Sequence, residues 1–279
     1  MTTPSGISVY ISRVSAVAPY GFFIQWEVRK PSASGEYRFW LDRSGSSEGP
    51  WEEVAADIHD KFCWMDRFDR PGDLAEGVRR PNQLALLRQF YYRVRMLAPN
   101  GERDEVVHDN DPPLDRKLAQ AYRRARANFA AMLQFNGRPC AVLKRKRWGK
   151  RCPKCSDVVL REPLKSSCVV CWGTGFEGGF WKPVLVSGYL ALVSESSTNT
   201  PEQRSDVRAV RIQLPNIPDV ERDDVLVFPH DRKRFLIERV QMPALIQNDT
   251  HQTCIGAEIS PGNILYRFKM PDDPLSALV

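Results

Sequence analysis

The clearest chemistry in this sequence lies in four cysteines. Cys152 and Cys155, then Cys168 and Cys171, form two C-x-x-C pairs separated by twelve residues. Each pair can turn two thiolates inward from a tight knuckle, and a short hairpin can bring the knuckles together around one tetrahedral ion. The spacing predicts a structural Zn2+ held by Cys152, Cys155, Cys168 and Cys171. Residues 151–180 carry little other apolar mass, whereas a four-thiolate zinc site supplies on the order of 10–16 kcal/mol of folding free energy. With four sulfur ligands no coordination position stays open, so such an ion holds structure rather than performing catalysis.

The competing reading is two disulfides or four unrelated thiols. Seven cysteines is an odd number, and Cys63, Cys140 and Cys254 sit singly among apolar neighbours, as buried thiols do. Residues 1–6 are polar and lack the basic start and apolar core of a secretion signal. Apolar runs such as 184–193 are interrupted by Ser and Gly and are too short to span a bilayer. A soluble protein made in a reducing compartment is therefore expected, without a membrane partner and with its paired cysteines holding metal.

Other catalytic patterns are lacking. His59, His108, His230 and His251 are scattered, and no phosphate loop, G-x-S-x-G, H-E-x-x-H or magnesium-binding acidic cluster is present. Asp223, Asp224 and Asp231 could be imagined as metal ligands but more simply occupy turns. The reading is of a protein that is not an enzyme.

Charge is unevenly placed. The net charge is +6, yet residues 116–156 hold thirteen Lys or Arg and no Asp or Glu, which leaves the rest of the chain acidic. One strongly positive face is expected. Its candidate contacts with an anionic partner are Arg116, Lys117, Arg123, Arg124, Lys144, Arg145, Lys146, Arg147, Lys150 and Arg151. A solvated helix surface or an acidic-protein contact competes with phosphate binding for this stripe.

The positioning elements follow from hydrophobic period. Residues 7–108 alternate in the manner of half-buried strands at Ile7, Val9, Ile11 and Val14, at Phe22, Ile24, Trp26 and Val28, and at Tyr37, Phe39 and Leu41. Turn residues separate them, which predicts a sandwich of about a hundred residues. Residues 66–82 form a long charged insertion, suited either to touching a partner or to solvation. The 109–113 segment DNDPP is a linker and helix start. Leu114, Leu118, Tyr122, Ala125, Phe129, Met132 and Leu133 then recur at helical spacing, with Asn136-Gly137 as the stop. The apolar run 140–143 suggests a strand leading into the basic turn, and Gly149, Gly173, Gly175, Gly178 and Gly179 offer positive φ for turning around an ion. Six further stretches, 184–193, 207–214, 224–228, 234–242, 251–259 and 264–268, read as strands of a small antiparallel barrel or a two-layer sandwich, with 194–205 an exposed loop. The fold class is thus mainly β and multidomain. A sandwich at 1–109 is followed by a basic α-helix plus four-cysteine zinc knuckle at 110–183, then a small antiparallel β-barrel at 184–279.

Several stretches resemble known families. WLDRSGSSEGPWEEVA at 40–55 and FYYRVRMLAPNGE at 90–102 resemble a fibronectin type III domain. The resemblance implies Trp26 as the core tryptophan and Tyr92, Val94 and Met96 as inward residues. Its tyrosine-corner position aligns with Phe90, which has no hydroxyl. CVVCWGTG at 168–175 is similar to the C-x-x-C-x-G-x-G element of DnaJ-type chaperones, which supports the knuckle geometry; no J-domain signature accompanies it.

Residues 223–268 resemble the barrel of tailed-bacteriophage head-to-tail joining proteins. A basic helix, L-x-R-x-x-x-G-x-x-C-x-x-C, then C-x-x-C-x-G-T-G-F-x-G-G-F and Pro183 resemble a zinc-bearing module of phage neck proteins. These resemblances imply a structural virion protein, synthesised in the host cytoplasm, that forms a homo-oligomeric ring as a head-to-tail connector or stopper. Its partners would be neighbouring neck, portal or tail proteins, with non-specific contact to packaged DNA. Two alternatives stay open: a cellular zinc-ribbon nucleic-acid-binding protein, and a tail or baseplate structural subunit.

Overall fold

The computed structural model describes residues 6–17, 21–31, 34–67, 90–109, 116–155, 167–192, 209–242, 244–245, 248–270 and 275–276. Most of the 66–82 insertion, the 110–113 linker and the 194–205 loop expected from the sequence lie outside these residues. The chain is mainly β and divides into two units. One comprises Met1–Pro112, Lys146–Trp181 and Leu278; the other Pro113–Arg145, Lys182–Ala277 and Val279. The segment 110–183, read from sequence as one module, is therefore shared between them. Its helix belongs with the barrel and its cysteines with the N-terminal strands.

In the first unit, β1 (Ser8–Val17), β2 (Gly21–Arg29) and β5 (Cys63–Arg67) form one antiparallel sheet in the order β1-β2-β5. The strands β3 (Arg38–Ser44), β4 (Glu52–Ile58), β6 (Tyr91–Leu97) and β7 (Arg103–Asp109) form a second, in the order β4-β3-β6-β7. Trp26 of the first sheet meets Phe39 of the second at 5.5 Å between ring centres, and Phe22 meets Tyr92 at 5.9 Å. The alternation in β6 buries Tyr92, Val94 and Met96, as a strand with one wet face requires. β2 departs from that period: Phe23 and Gln25 are buried as well as Phe22, Ile24 and Trp26.

Phe90 packs edge-on against Phe22, and the neighbouring tyrosine supplies the hydroxyl that Phe90 lacks. Tyr92 Oη donates to Asp66 Oδ2 at 2.9 Å, and Arg43 Nη1 donates to the same oxygen at 2.8 Å. Burial pushes the Asp66 carboxyl up from its ordinary value, against the pull of Arg43.

The second unit is a closed barrel. Helix α1 (Arg116–Asn136) is followed by β8 (Arg138–Leu143), β9 (Val184–Leu192), β10 (Ala209–Pro215), β11 (Val225–Phe228) and β12 (Lys233–Gln241). After a small ribbon of β13 (Ala244–Leu245) and β14 (Asn248–Asp249) come β15 (His251–Glu258) and a short β16 (Leu275–Ser276). The order β10-β15-β12-β11-β8-β9 closes because β9 pairs back onto β10, so the six strands form one ring of pairings. β16 adds in parallel to β9. Two sequence expectations are corrected here. Ile264–Arg267 is a 3-10 helix rather than a strand, begun by the Asn263 side chain accepting from Leu265 N. The strand that completes the barrel is β8, which precedes the cysteines in sequence.

The barrel interior is packed by Cys140, Val186, Ile212, Phe228, Phe235, Ile237 and Cys254. A Cβ at Gly188 would lie 3.0 Å from Cys140 Sγ and from Leu214 Cδ2, so a larger residue there would have to push both side chains aside by a few tenths of an ångström. α1 lies on the barrel through Phe129 stacked on His251 at 4.3 Å, Arg126 donating to Asn216 Oδ1 at 3.2 Å, and buried Leu133. It stops at Gly137, whose N–H donates to Leu133 O at 2.8 Å.

One buried amide pins the loop after β10. Gln252 Nε2 donates to Pro215 O at 2.8 Å and Pro218 O at 2.7 Å, while its Oε1 accepts from Val220 N at 2.9 Å. Gln252→Ala strands all three partners, at a cost of about 2 kcal/mol. Chemical denaturation followed by hydrogen exchange in β15 is the check, with a loss confined to the barrel as the expected result.

Candidate metal centre

The four sulfurs come together from two local turns. Trp172 N donates to Cys168 O at 2.8 Å and Thr174 N to Cys171 O at 2.9 Å, which curls the second pair into a knuckle. Thr174 Oγ1 donates to Cys171 O at 2.7 Å and accepts from Phe176 N, so the buried hydroxyl is used in both directions. The first pair is tied to it by Cys152 N donating to Gly175 O at 2.9 Å and by the bridge between Arg151 and Phe176. All five glycines expected to turn the chain carry positive φ. Gly179 also has no room for a side chain, since a Cβ there would lie 2.7 Å from Cys171 O.

The Sγ atoms of Cys152, Cys155, Cys168 and Cys171 all lie within 4.8 Å of one another. The closest contacts cross between knuckles, Cys152 to Cys168 at 3.8 Å and Cys155 to Cys171 at 3.1 Å. None is bonded as a disulfide, and a disulfide would need about 2.05 Å. A tetrahedral ion with metal–sulfur bonds of about 2.3 Å sets its ligands about 3.8 Å apart, so the donor set fits a metal of that size.

The electrostatics favour a cation among the sulfurs. The backbone amides of Cys171 and Val170 bring the Cys168 thiol down to about 6. Burial and hydrogen bonding to the neighbouring thiols push Cys155 up, and burial pushes Cys171 up. Crowded thiols resist losing further protons, whereas a divalent ion at their centre reverses that balance and deprotonates the ligands.

The basic residues next to the knuckle are placed differently from one another. Lys144 and Lys146, expected at an anionic surface, are internal. Lys144 Nζ meets Glu221 Oε1 at 2.7 Å and Asp219 O at 3.0 Å. Lys146 Nζ pairs with Asp60, donates to Glu177 O at 3.1 Å and lies over the Trp181 ring. Trp148 is also buried, while Arg147 is exposed and Arg145 half-buried. KRKRW therefore behaves as an extended segment of period two, with its even-numbered residues turned inward. Arg145 pairs with Asp223 at 3.4 Å, exposed Lys150 pairs with Glu177 at 2.8 Å, and Arg151 stacks on Phe176. On α1 the Arg124 side chain is exposed; those of Arg116, Lys117 and Arg123 lie outside the described residues.

The histidines and the aspartates of the β11 region form no second cluster with metal geometry among the described residues. His251 stacks on Phe129, and burial lowers its pKa. Asp231 binds Arg138 at 2.7 Å through both oxygens. Asp224 is fully buried and accepts from Arg145 N and Glu221 N, both at 2.8 Å. Sequence reasoning placed it in a turn; that its side chain is internal depends on Lys144, eighty residues earlier.

No protein-family model matches the chain, and no curated protein matches it. Among solved structures, the crystal structure of pectate lyase Pel3 from Pectobacterium carotovorum is 12% identical to it. The likeness covers 39% of this chain and 28% of that one, with a TM-score of 0.26. The chain thus spans little more than a quarter of that enzyme's length, and so slight a likeness bears on neither fold nor activity.

Proposed function

We propose that the chain is a structural subunit of a tailed-phage virion, which forms a ring in the neck and links the portal side to the tail. The closed six-strand barrel carries this reading. It contains most of the 223–268 stretch that resembles head-to-tail joining proteins, and its six strands form one ring of pairings. A subunit repeated around an axis meets its neighbours through heterologous contacts, and a ring results when the rotation closes.

The other parts have consistent roles. A three-strand sheet facing a four-strand sheet, with Trp26 and Tyr92 in the interface, supports a fibronectin type III-like domain for residues 1–109. Four thiols within 4.8 Å of one another support one structural Zn2+ on Cys152, Cys155, Cys168 and Cys171. With Lys144 and Lys146 internal, a non-specific contact with packaged DNA would draw on exposed basic side chains such as Arg124 in the barrel unit or, separately, Arg147 in the N-terminal unit.

Native mass spectrometry of the purified chain over a concentration series tests the reading. One zinc per chain, with rings or ring fragments growing as concentration rises, is the expected result. Binding of DNA should be weak, indifferent to sequence and lost steeply with salt. A chain that stays monomeric throughout and holds one duplex sequence tightly would overturn the proposal in favour of a cellular zinc-ribbon regulator.

A further inference from the structure

We propose that the ion at the four-cysteine cluster is a latch for the N-terminal sandwich: its binding locks Lys146 and Trp148 into the end of the two-sheet core, and its removal releases them together. This coupling is independent of ring assembly and of any virion role.

The latch is built from contacts that reach back across the chain to the sandwich. Trp148 sits in an aromatic cluster, 5.5 Å from Tyr37, 5.4 Å from Phe39 and 4.1 Å from Trp181 between ring centres. Phe39 in turn packs on Trp26, so the stem of the knuckle is continuous with the sandwich core. Two backbone contacts flank this anchor: Gly35 N donates to Gly149 O at 3.4 Å, and Arg151 N donates to Ser34 Oγ at 3.0 Å. On the other side Lys146 reaches Asp60, just before β5.

The same stem is held by the cysteine turns. Lys146 N donates to Gly179 O at 3.0 Å, Lys146 Nζ to Glu177 O at 3.1 Å, and Glu177 N to Lys150 O at 2.9 Å. Residues 176–180 follow the second C-x-x-C pair directly, and Gly178 N donates to Val170 O between its two cysteines. Residues 146–151 therefore have two sets of partners, one ordered by the ion and one belonging to the sandwich. Around the cysteines themselves only Cys168 and Val170 are packed as partly buried apolar neighbours, so the ion is the main tie between the two knuckles. When two sites share one ordered element, each stabilises the other by the same factor.

The full chain is loaded with Zn2+ and then stripped with a chelator, and hydrogen exchange is recorded together with tryptophan fluorescence. All seven tryptophans lie in this unit, so the emission reports on it alone. On stripping, exchange should quicken about tenfold or more at 34–39, 58–62 and 146–151 as well as at 167–180, while β11 and β15 stay protected. The reciprocal arm measures Zn2+ affinity by chelator competition. Trp148→Ala should weaken it by about fivefold or more, the lower range of coupling between sites. Asp60→Asn alters a mostly exposed side chain and should weaken it in the same direction, which keeps the test open if Trp148→Ala fails to fold. Faster exchange confined to 167–180, or Zn2+ affinities unchanged in the folded variants, would overturn the latch.

Discussion

Cys171→Ser is expected to reduce bound zinc from one per chain to a small fraction, measured by native mass spectrometry after desalting. Cys171 is fully buried at the centre of the cluster, and its carbonyl also accepts from Thr174 N and Thr174 Oγ1. Serine keeps the backbone turn but replaces a thiolate with a hydroxyl that does not ionise near neutrality. Three sulfurs then hold the ion far more weakly, because metal binding supplies most of the folding free energy of such a knuckle. Cys140→Ser is the matched control: that thiol is equally buried but lies in the barrel, pushed up by burial and apart from the cluster. It should leave metal content at one per chain. Equal zinc in wild type and Cys171→Ser would mean that the four sulfurs do not bind it.

The elements most legible in the sequence were those whose partners are close in the chain. The cysteine pairs follow from spacing alone, and the glycines at 173, 175, 178 and 179 follow from the turns that spacing demands. The β6 alternation and the Gly137 stop are equally local. What escaped depends on contacts made at long range. KRKRW reads locally as four positive charges, because the acids that absorb two of them, Asp60 and Glu221, lie 86 and 77 residues away. Its K-R-K-R-W alternation was a usable sign, since an extended segment with buried even positions needs either apolar residues or paired lysines there. The 140–143 run was legible as a strand, but its place in the barrel was missed for a related reason. β8 stands before the knuckle in sequence yet pairs with β9 and β11, which follow it. Closing an edge across such a span costs loop entropy, which no local pattern records.

The buried acid beside β8 should make barrel stability depend on pH in a direction opposite to that of a surface carboxylate. Asp224 is fully buried, and burial outweighs the pull of Lys144 and two backbone amides, leaving its pKa at about 6. An unfolded aspartate titrates near 3.9, so the folded value is raised. The folded barrel therefore binds a proton that the unfolded chain releases between these values. Asp224's stabilising contribution is fully present below about pH 3.9 and is lost as pH rises through about 6, a change on the order of 3 kcal/mol. Asp224→Asn removes the titration while keeping an acceptor for one amide and leaving Glu221 beside Lys144. Hydrogen exchange in β11 and β15, compared between wild type and variant at each pH, isolates this group from the rest of the chain. The stability of wild type relative to the variant should fall steadily from pH 4 to pH 7. A flat difference would mean that Asp224 stays ionised throughout, with its charge held fully by Lys144.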